Sequence, residues 1–217
     1  MLEKPLQQGI ERIIKEFRLT AGFPKKVLEE IEGLPETNSG SDLEGREDFR
    51  GEAFVTIDGE NARDFDDAVS VKSLPGGGFL LRVSIADVSH YVLPGTAVDR
   101  EAYRRATSTY FPDRVIPMLP ERLSNDLCSL VPHKDRLTFT AEMEFDEEGT
   151  RVASRFCRSV IRSAARLTYT IVRKILVDQD AEARSLHAAL IPHLELMGDL
   201  ADRLQAMRRR RSKAGIT

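Results

Sequence analysis

No run of about 18 apolar residues occurs in this chain of 217 residues, so no segment is long and apolar enough to cross a bilayer as a helix. The first residues, MLEKPLQQGIERIIKEF, carry acids and no apolar core, which argues against a secretory signal. Cysteine is scarce: Cys128 and Cys157 are the only two, without CxxC spacing, and each sits in an apolar-looking segment. That disfavours a disulfide framework or a cysteine zinc site, and two buried thiols in a reducing cytoplasm are expected. No internal repeat is present. With 41% hydrophobic residues, the chain can build a core for one large domain, or for a domain with an appendage.

Charge is unevenly placed. Residues 51–150 hold 10 Lys or Arg against 18 Asp or Glu, whereas residues 151–217 hold 14 against 6. An acidic middle beside a basic end suits cations in one place and an anionic partner nearby, although solvated faces alone would also carry such charges.

The apolar spacing of Ile10, Ile13, Ile14 and Phe17 predicts a helix over 6–18, and KKVLEEIEGL predicts a second, stopped by Gly33 and Pro35. Residues 1–36 read as a helical segment, the polar 37–52 as a linker and 53–217 as a domain. Within that domain AFVTI, AVSVKSL and FLLRVSIADV read as strands, the last two joined by a glycine turn. TAVDREAYRRATS reads as a helix capped by Thr96, the proline-bearing YFPDRVIPMLP as extended, and ERLSNDLCSL as a short helix. Two further strands flank the turn DEEG. Helices follow from Tyr169 and from Ala181, the second interrupted at Pro192 and fading in RRRRSKAGIT. Hairpins and helices in blocks predict an α+β fold.

One stretch is chemically unusual. TIDGENARDFDDAV places Asp58, Asp64, Asp66 and Asp67 within ten positions, with Glu60 among them and only Arg63 opposing. Like charges this close repel. Hard divalent cations would neutralise them, and a two-metal phosphoryl site needs oxygen donors for two ions about 3.5–4 Å apart. Asp58 follows the apolar FVTI, so a strand end would hold it, and Gly59 lets the chain turn toward the other three. The spacing lacks the glycine and downstream glutamate of an EF-hand, and DFD does not directly follow an apolar strand as an aspartyl nucleophile would. A solvated acidic turn stays open on spacing alone.

VTIDGENARDFDDAVSV resembles the signature of the RNase II/RNase R exoribonuclease family, the RNB catalytic domain. VSIADVSHYV, VIPMLPERLSNDLCSL and VIRSAARLTYTIV resemble its successive blocks in order, and GREDFRGEAF its lead-in. The resemblance implies an RNB-type mixed sheet with packed helices, and hydrolytic 3′→5′ degradation of single-stranded RNA with Mg²⁺ or Mn²⁺, releasing 5′-nucleoside monophosphates. It implies that Asp58 and Asp67 bind metal directly, that Asp64 is a further or water-mediated ligand, and that Asp66 is the most sensitive position, at the second metal and its attacking water, with Asp66 and Asp64 as the catalytic pair. Tyr110 would stack on a base near the 3′ end. Arg162 and Arg166 are candidates for phosphate contact, with internal ion pairing, for instance to Asp126, as the ordinary alternative. His90 is expected to be a packed histidine.

The departures are as informative. The family's OB-type and S1 domains are not seen, and no TSPIR-like block supplies the arginine expected at the scissile phosphate. The chain therefore reads as the N-terminal part of an RNB domain, a truncated form weak or inactive alone. The alternative is a non-catalytic RNA- or metal-binding fragment that complements another chain or segment carrying the missing half. A truncated domain would also leave the apolar stripe of the Leu186–Leu204 helix uncovered.

Overall fold

The structure is a computed structural model that describes residues 4–36 and 38–213. In chain order the helices are α1 (Lys4–Glu16), α2 (Lys25–Glu32), α3 (Val88–Tyr91), α4 (Ala97–Arg105), α5 (Tyr169–Leu176), α6 (Ala181–Leu186) and α7 (Ile191–Lys213). The strands are β1 (Glu47–Asp48), β2 (Val55–Asp58), β3 (Asp67–Ser73), β4 (Phe79–Ala86), β5 (Thr109–Tyr110), β6 (Val115–Ile116), β7 (Asp135–Phe145), β8 (Arg151–Arg162) and β9 (Ala165–Thr168). The fold is α+β, and the basic run is helical through Lys213. Its last four residues lie outside the described residues, as do residues 1–3 and Thr37 at the head of the expected linker.

Two compact units are distinguished, one of residues 1–36 with 88–127, the other of residues 37–87 with 128–217. In the first, Thr96 caps α4 by accepting from the Asp99 amide. The Glu30 carboxylate, on α2, accepts the Ala97 and Val98 amides at the same helix end. Arg122 donates to the carbonyls of Ile31 and Leu34, satisfying acceptors where α2 runs out. The expected extended segment folds back on itself as the small β5–β6 hairpin.

The second unit is built on a seven-stranded sheet in the order β1-β8-β7-β4-β3-β2-β9. β1 runs parallel to β8 and β9 parallel to β2; the other neighbours are antiparallel. The long β7–β8 hairpin turns at Asp146, whose side chain accepts the Glu148 and Thr150 amides. Gly149 completes the turn at φ +84°, and an added Cβ would lie 3.0 Å from Arg203 on α7, so both the angle and the space require glycine.

Period-two alternation gives the sheet an apolar and a polar side. On the apolar side Val55 and Leu167 pack with Ile175 and Leu194, while Val71, Phe79 and Phe145 pack with Leu200. The polar side is buried too: Ser84 bonds Thr140 at 2.7 Å, Thr140 bonds Ser159 at 2.6 Å, and Ser159 bonds Thr138 at 2.7 Å.

Three expectations need correction. Residues 37–52 are more than a linker: they form a short 3-10 turn and β1, Phe49 is buried, and Arg46 pairs at 2.6 Å with Asp87, both side chains almost fully enclosed. Pro192 does not interrupt a helix; it lies in the first turn of α7, where an amide has no partner to lose, and the break falls earlier, around His187. The Leu186–Leu204 stripe is not left uncovered, because Leu194, Leu196, Met197, Leu200 and Leu204 pack on the sheet and only Leu186 projects outward. An exposed apolar patch lies on the sheet, where Phe139 and Phe156 stack at 6.2 Å beside exposed Ile85.

Amides of residues 190–204 are accordingly expected to exchange slowly with deuterated solvent. Leu194→Ala is expected to lower unfolding stability by about 2–5 kcal/mol in a denaturant titration. Fast exchange across this helix would show that its stripe is uncovered after all.

Candidate active site

The four aspartates fall where two neighbouring strands meet a loop. Asp58 is the last residue of β2 and Asp67 the first of β3, so β-ladders fix both backbones. Asp58 pairs with Thr168 of β9, and Asp67 with Ile85 of β4. Residues 59–66 carry Asp64 and Asp66 on the loop between. Its second half is pinned from outside. The Phe65 amide donates to Ser129 Oγ at 3.2 Å, and the Phe65 carbonyl accepts from Leu130 at 2.8 Å. The Asp66 carbonyl accepts from the Ala86 amide at 2.9 Å. Phe65 is buried, an apolar anchor in the middle of the acids.

The first half is held by β9 and α5. Arg166 Nη2 donates to the carbonyls of Glu60 at 2.8 Å and Ala62 at 3.3 Å, and its guanidinium lies 4.9 Å from the Phe65 ring centroid. Thr170 Oγ1 donates to the Glu60 carboxylate, which lies below its ordinary range chiefly through that bond. Glu60 is thus an anchoring acid.

The electrostatics record the crowding. Asp58 is raised above its ordinary value, first by desolvation and then by the charges of Asp67 and Asp64, while Arg166 works the other way. Asp66 is also raised, again first by desolvation and then by Asp64, Asp67 and Asp58. Asp66 faces solvent by its own surface. Cys128 nearby is buried and its thiol is pushed up to about 12, by desolvation and then by the charge of Asp66. Among the described residues, no ion pair or side-chain hydrogen bond engages any of the four aspartates. Among the same residues, no group of three or more His, Cys, Asp or Glu is arranged to hold a metal ion. The donor set nonetheless suits a hard cation such as Mg²⁺, which takes one or two carboxylates and fills its remaining positions with water and phosphate oxygens.

The model of the RNB domain matches residues 46–216. The chain belongs to the RNB family. It is 53% identical over 156 residues to ribonuclease R of Thermotoga maritima, covering 72% of this chain and 22% of that protein. It is 48% identical over 202 residues to ribonuclease R of Acidithiobacillus ferrooxidans, covering 93% and 46%. Among solved structures, Mycoplasma genitalium RNase R in complex with double-stranded RNA superposes with a TM-score of 0.85 at 32% identity, covering 96% of this chain and 36% of that one. The chain thus spans less than half the length of these relatives.

The acidic loop and its anchors lie within the region matched by the RNB domain. Tyr110, in the other compact unit, is the last residue of β5 and is 67% exposed, an aromatic face open to solvent. Arg162 pairs with Asp135 at 2.8 Å, not with Asp126, and Asp135 also takes Arg50 at 3.0 Å. Both arginines proposed for phosphate contact therefore have protein acceptors in this structure. Reading the sequence missed the loop's anchors: Ser129, Phe65, Thr170 and Glu60. The one available signal was Phe65, an apolar residue amid acids.

A carboxyl whose folded pKa exceeds its unfolded value contributes stability below the unfolded value, here 3.8, and that stability is lost as pH rises through the folded value. In cation-free buffer, Asp66→Asn is expected to raise the thermal midpoint near pH 7 and leave it almost unchanged near pH 3. The same midpoint for Asp66→Asn and the unmutated chain at both pH values would mean that neither desolvation nor the neighbouring charges raise Asp66.

Proposed function

We propose that this chain carries the metal-binding part of a hydrolytic 3′→5′ exoribonuclease site that acts on single-stranded RNA and releases 5′-nucleoside monophosphates. The observation that carries the reading is four mutually repelling aspartates at the adjoining ends of β2 and β3, with no side-chain partner among the described residues. The match to the RNB domain and the likeness to ribonucleases R support it.

Asp58 and Asp67, on ordered strand ends, would hold a divalent cation, with Asp64 as a further or water-mediated ligand and Asp66 at a second. Asp66 orients the water that attacks the phosphorus. When bound, Mg²⁺ or Mn²⁺ supplies Lewis acidity, a lowered water pKa and compensation of the charge that builds on the phosphate. Tyr110 stacks on a base near the 3′ end, a sequence-tolerant contact worth roughly 1–3 kcal/mol. The arginine expected at the scissile phosphate is not among these 217 residues, because no TSPIR-like block occurs in them. Positioning and electrostatics dominate phosphoryl transfer, so the 217-residue chain alone is weak or inactive.

The test is mononucleotide release from labelled single-stranded RNA with Mg²⁺, with and without the later half of an RNB domain added in trans. Release is expected on addition, and Asp66→Asn is expected to lower it by on the order of 10²-fold or more. RNA binding that weakens with salt, with no cleavage in any combination, would instead make the chain a non-catalytic binding module.

A further inference from the structure

The acidic loop cannot hold itself in place. Its charges are mutually repulsive, and its internal backbone bond is the Ala62 amide to the Gly59 carbonyl at 3.1 Å. The chain between Asp58 and Phe65 is fastened mainly by side chains that follow β8. Arg166 is the central one. On β9 it stands in register with Thr56 of β2, two residues before Asp58. From there it reaches the Glu60 and Ala62 carbonyls with one nitrogen and covers the Phe65 ring with its flat guanidinium. Thr170, four residues on, ties down the Glu60 carboxylate. These contacts fix the loop on both sides of Arg63, from Glu60 to Phe65, immediately before Asp66.

Resting on the metal-assisted reading above, we propose that Arg166 is a positioning residue for the metal site rather than an RNA phosphate contact. It sets how Asp64 and Asp66 approach the strand-end pair Asp58 and Asp67, and Thr170 supports it through Glu60. The residue type fits the task. A guanidinium presents a rigid fork of donors together with a flat face, so it can serve two carbonyls and an aromatic ring at once. A lysine in its place keeps the charge and loses the fork.

Three readouts on the full chain decide the matter, for Arg166→Ala, Arg166→Lys and Thr170→Val. The first is amide hydrogen exchange over residues 59–66 in EDTA. The second is Mn²⁺ binding followed by electron paramagnetic resonance. The third is the salt dependence of binding to single-stranded oligoadenylate in EDTA. For Arg166→Ala the loop amides are expected to exchange faster and Mn²⁺ affinity to fall by about 10–100-fold, the usual cost of losing a group that orients ligands. The salt slope is expected to stay unchanged. Arg166→Lys is expected to restore little of the Mn²⁺ affinity, and Thr170→Val to speed exchange around residues 60–62.

Unchanged exchange in Arg166→Ala overturns the proposal. So does a salt slope reduced by about 0.7, which marks one lost phosphate contact on a single strand. Absence of Mn²⁺ binding by the unmutated chain overturns the metal reading, and the exchange readout then still decides whether Arg166 holds the loop. If Arg166→Ala fails to fold, Thr170→Val decides in its place: unaltered exchange around 60–62 and unaltered Mn²⁺ affinity sink the proposal.

Discussion

Repulsion among four carboxylates is the constraint around which this part of the molecule is arranged. Desolvation, and then the crowding of such charges, raises Asp58 and Asp66, and the repulsion favours a loop that springs open. The fold counters this with contacts that use none of the four side chains. Backbone bonds to Ser129, Leu130 and Ala86 hold one half of the loop, and Arg166 and Thr170 hold the other. The restraint falls on the main chain and Glu60, so none of it rests on the four carboxylates. Such a division of labour is what an oxygen-ligand metal site requires, since donors already engaged in ion pairs would have to be released before binding.

The sheet makes those contacts possible. β2 lies between β3 and β9, so the strand that delivers Asp58 has Asp67 in the neighbour on one side and Arg166 in the neighbour on the other. The helices α5 and α7 pack one side of the sheet. The other side is polar yet enclosed, and four of its hydroxyls, from Ser84 to Thr138, satisfy one another in a ladder. Arg46 and Asp87 add an enclosed ion pair there. Losing one partner of such a pair typically costs about 3–5 kcal/mol, because the other charge is left uncompensated. A rigid frame of this kind suits chemistry that depends on placing charges within fractions of an ångström.

Much of the secondary structure was legible because local rules agree with the final packing. Thr96 caps α4 as its type and position suggest, and the strands around residues 55–58, 67–73, 79–86, 135–145 and 151–162 follow apolar alternation and turn residues. The misreadings share one origin. Arg46 and Phe49 look like loop residues until β1 pairs with β8 and covers them. The α7 stripe looks uncovered until the sheet supplies its partner. Pro192 breaks a helix only where its amide would have had a bond to make; in the first turn of α7 it has none.

By itself the sequence determined the identity of the acids and their place at a strand end, because aspartate spacing and the apolar FVTI are local facts. It also determined the longer strands and helices, since those periodicities are read within a few residues, but not the short β1, β5, β6 and β9. Only the tertiary structure decided what holds the acidic loop. Arg166 and Thr170 are separated from Glu60 by more than a hundred positions, and Ser129 lies far from Phe65 along the chain. No local pattern encodes such a pairing; it exists because β9 pairs in parallel beside β2, a choice made by the burial of Val55, Leu167, Ile175 and Leu194 together.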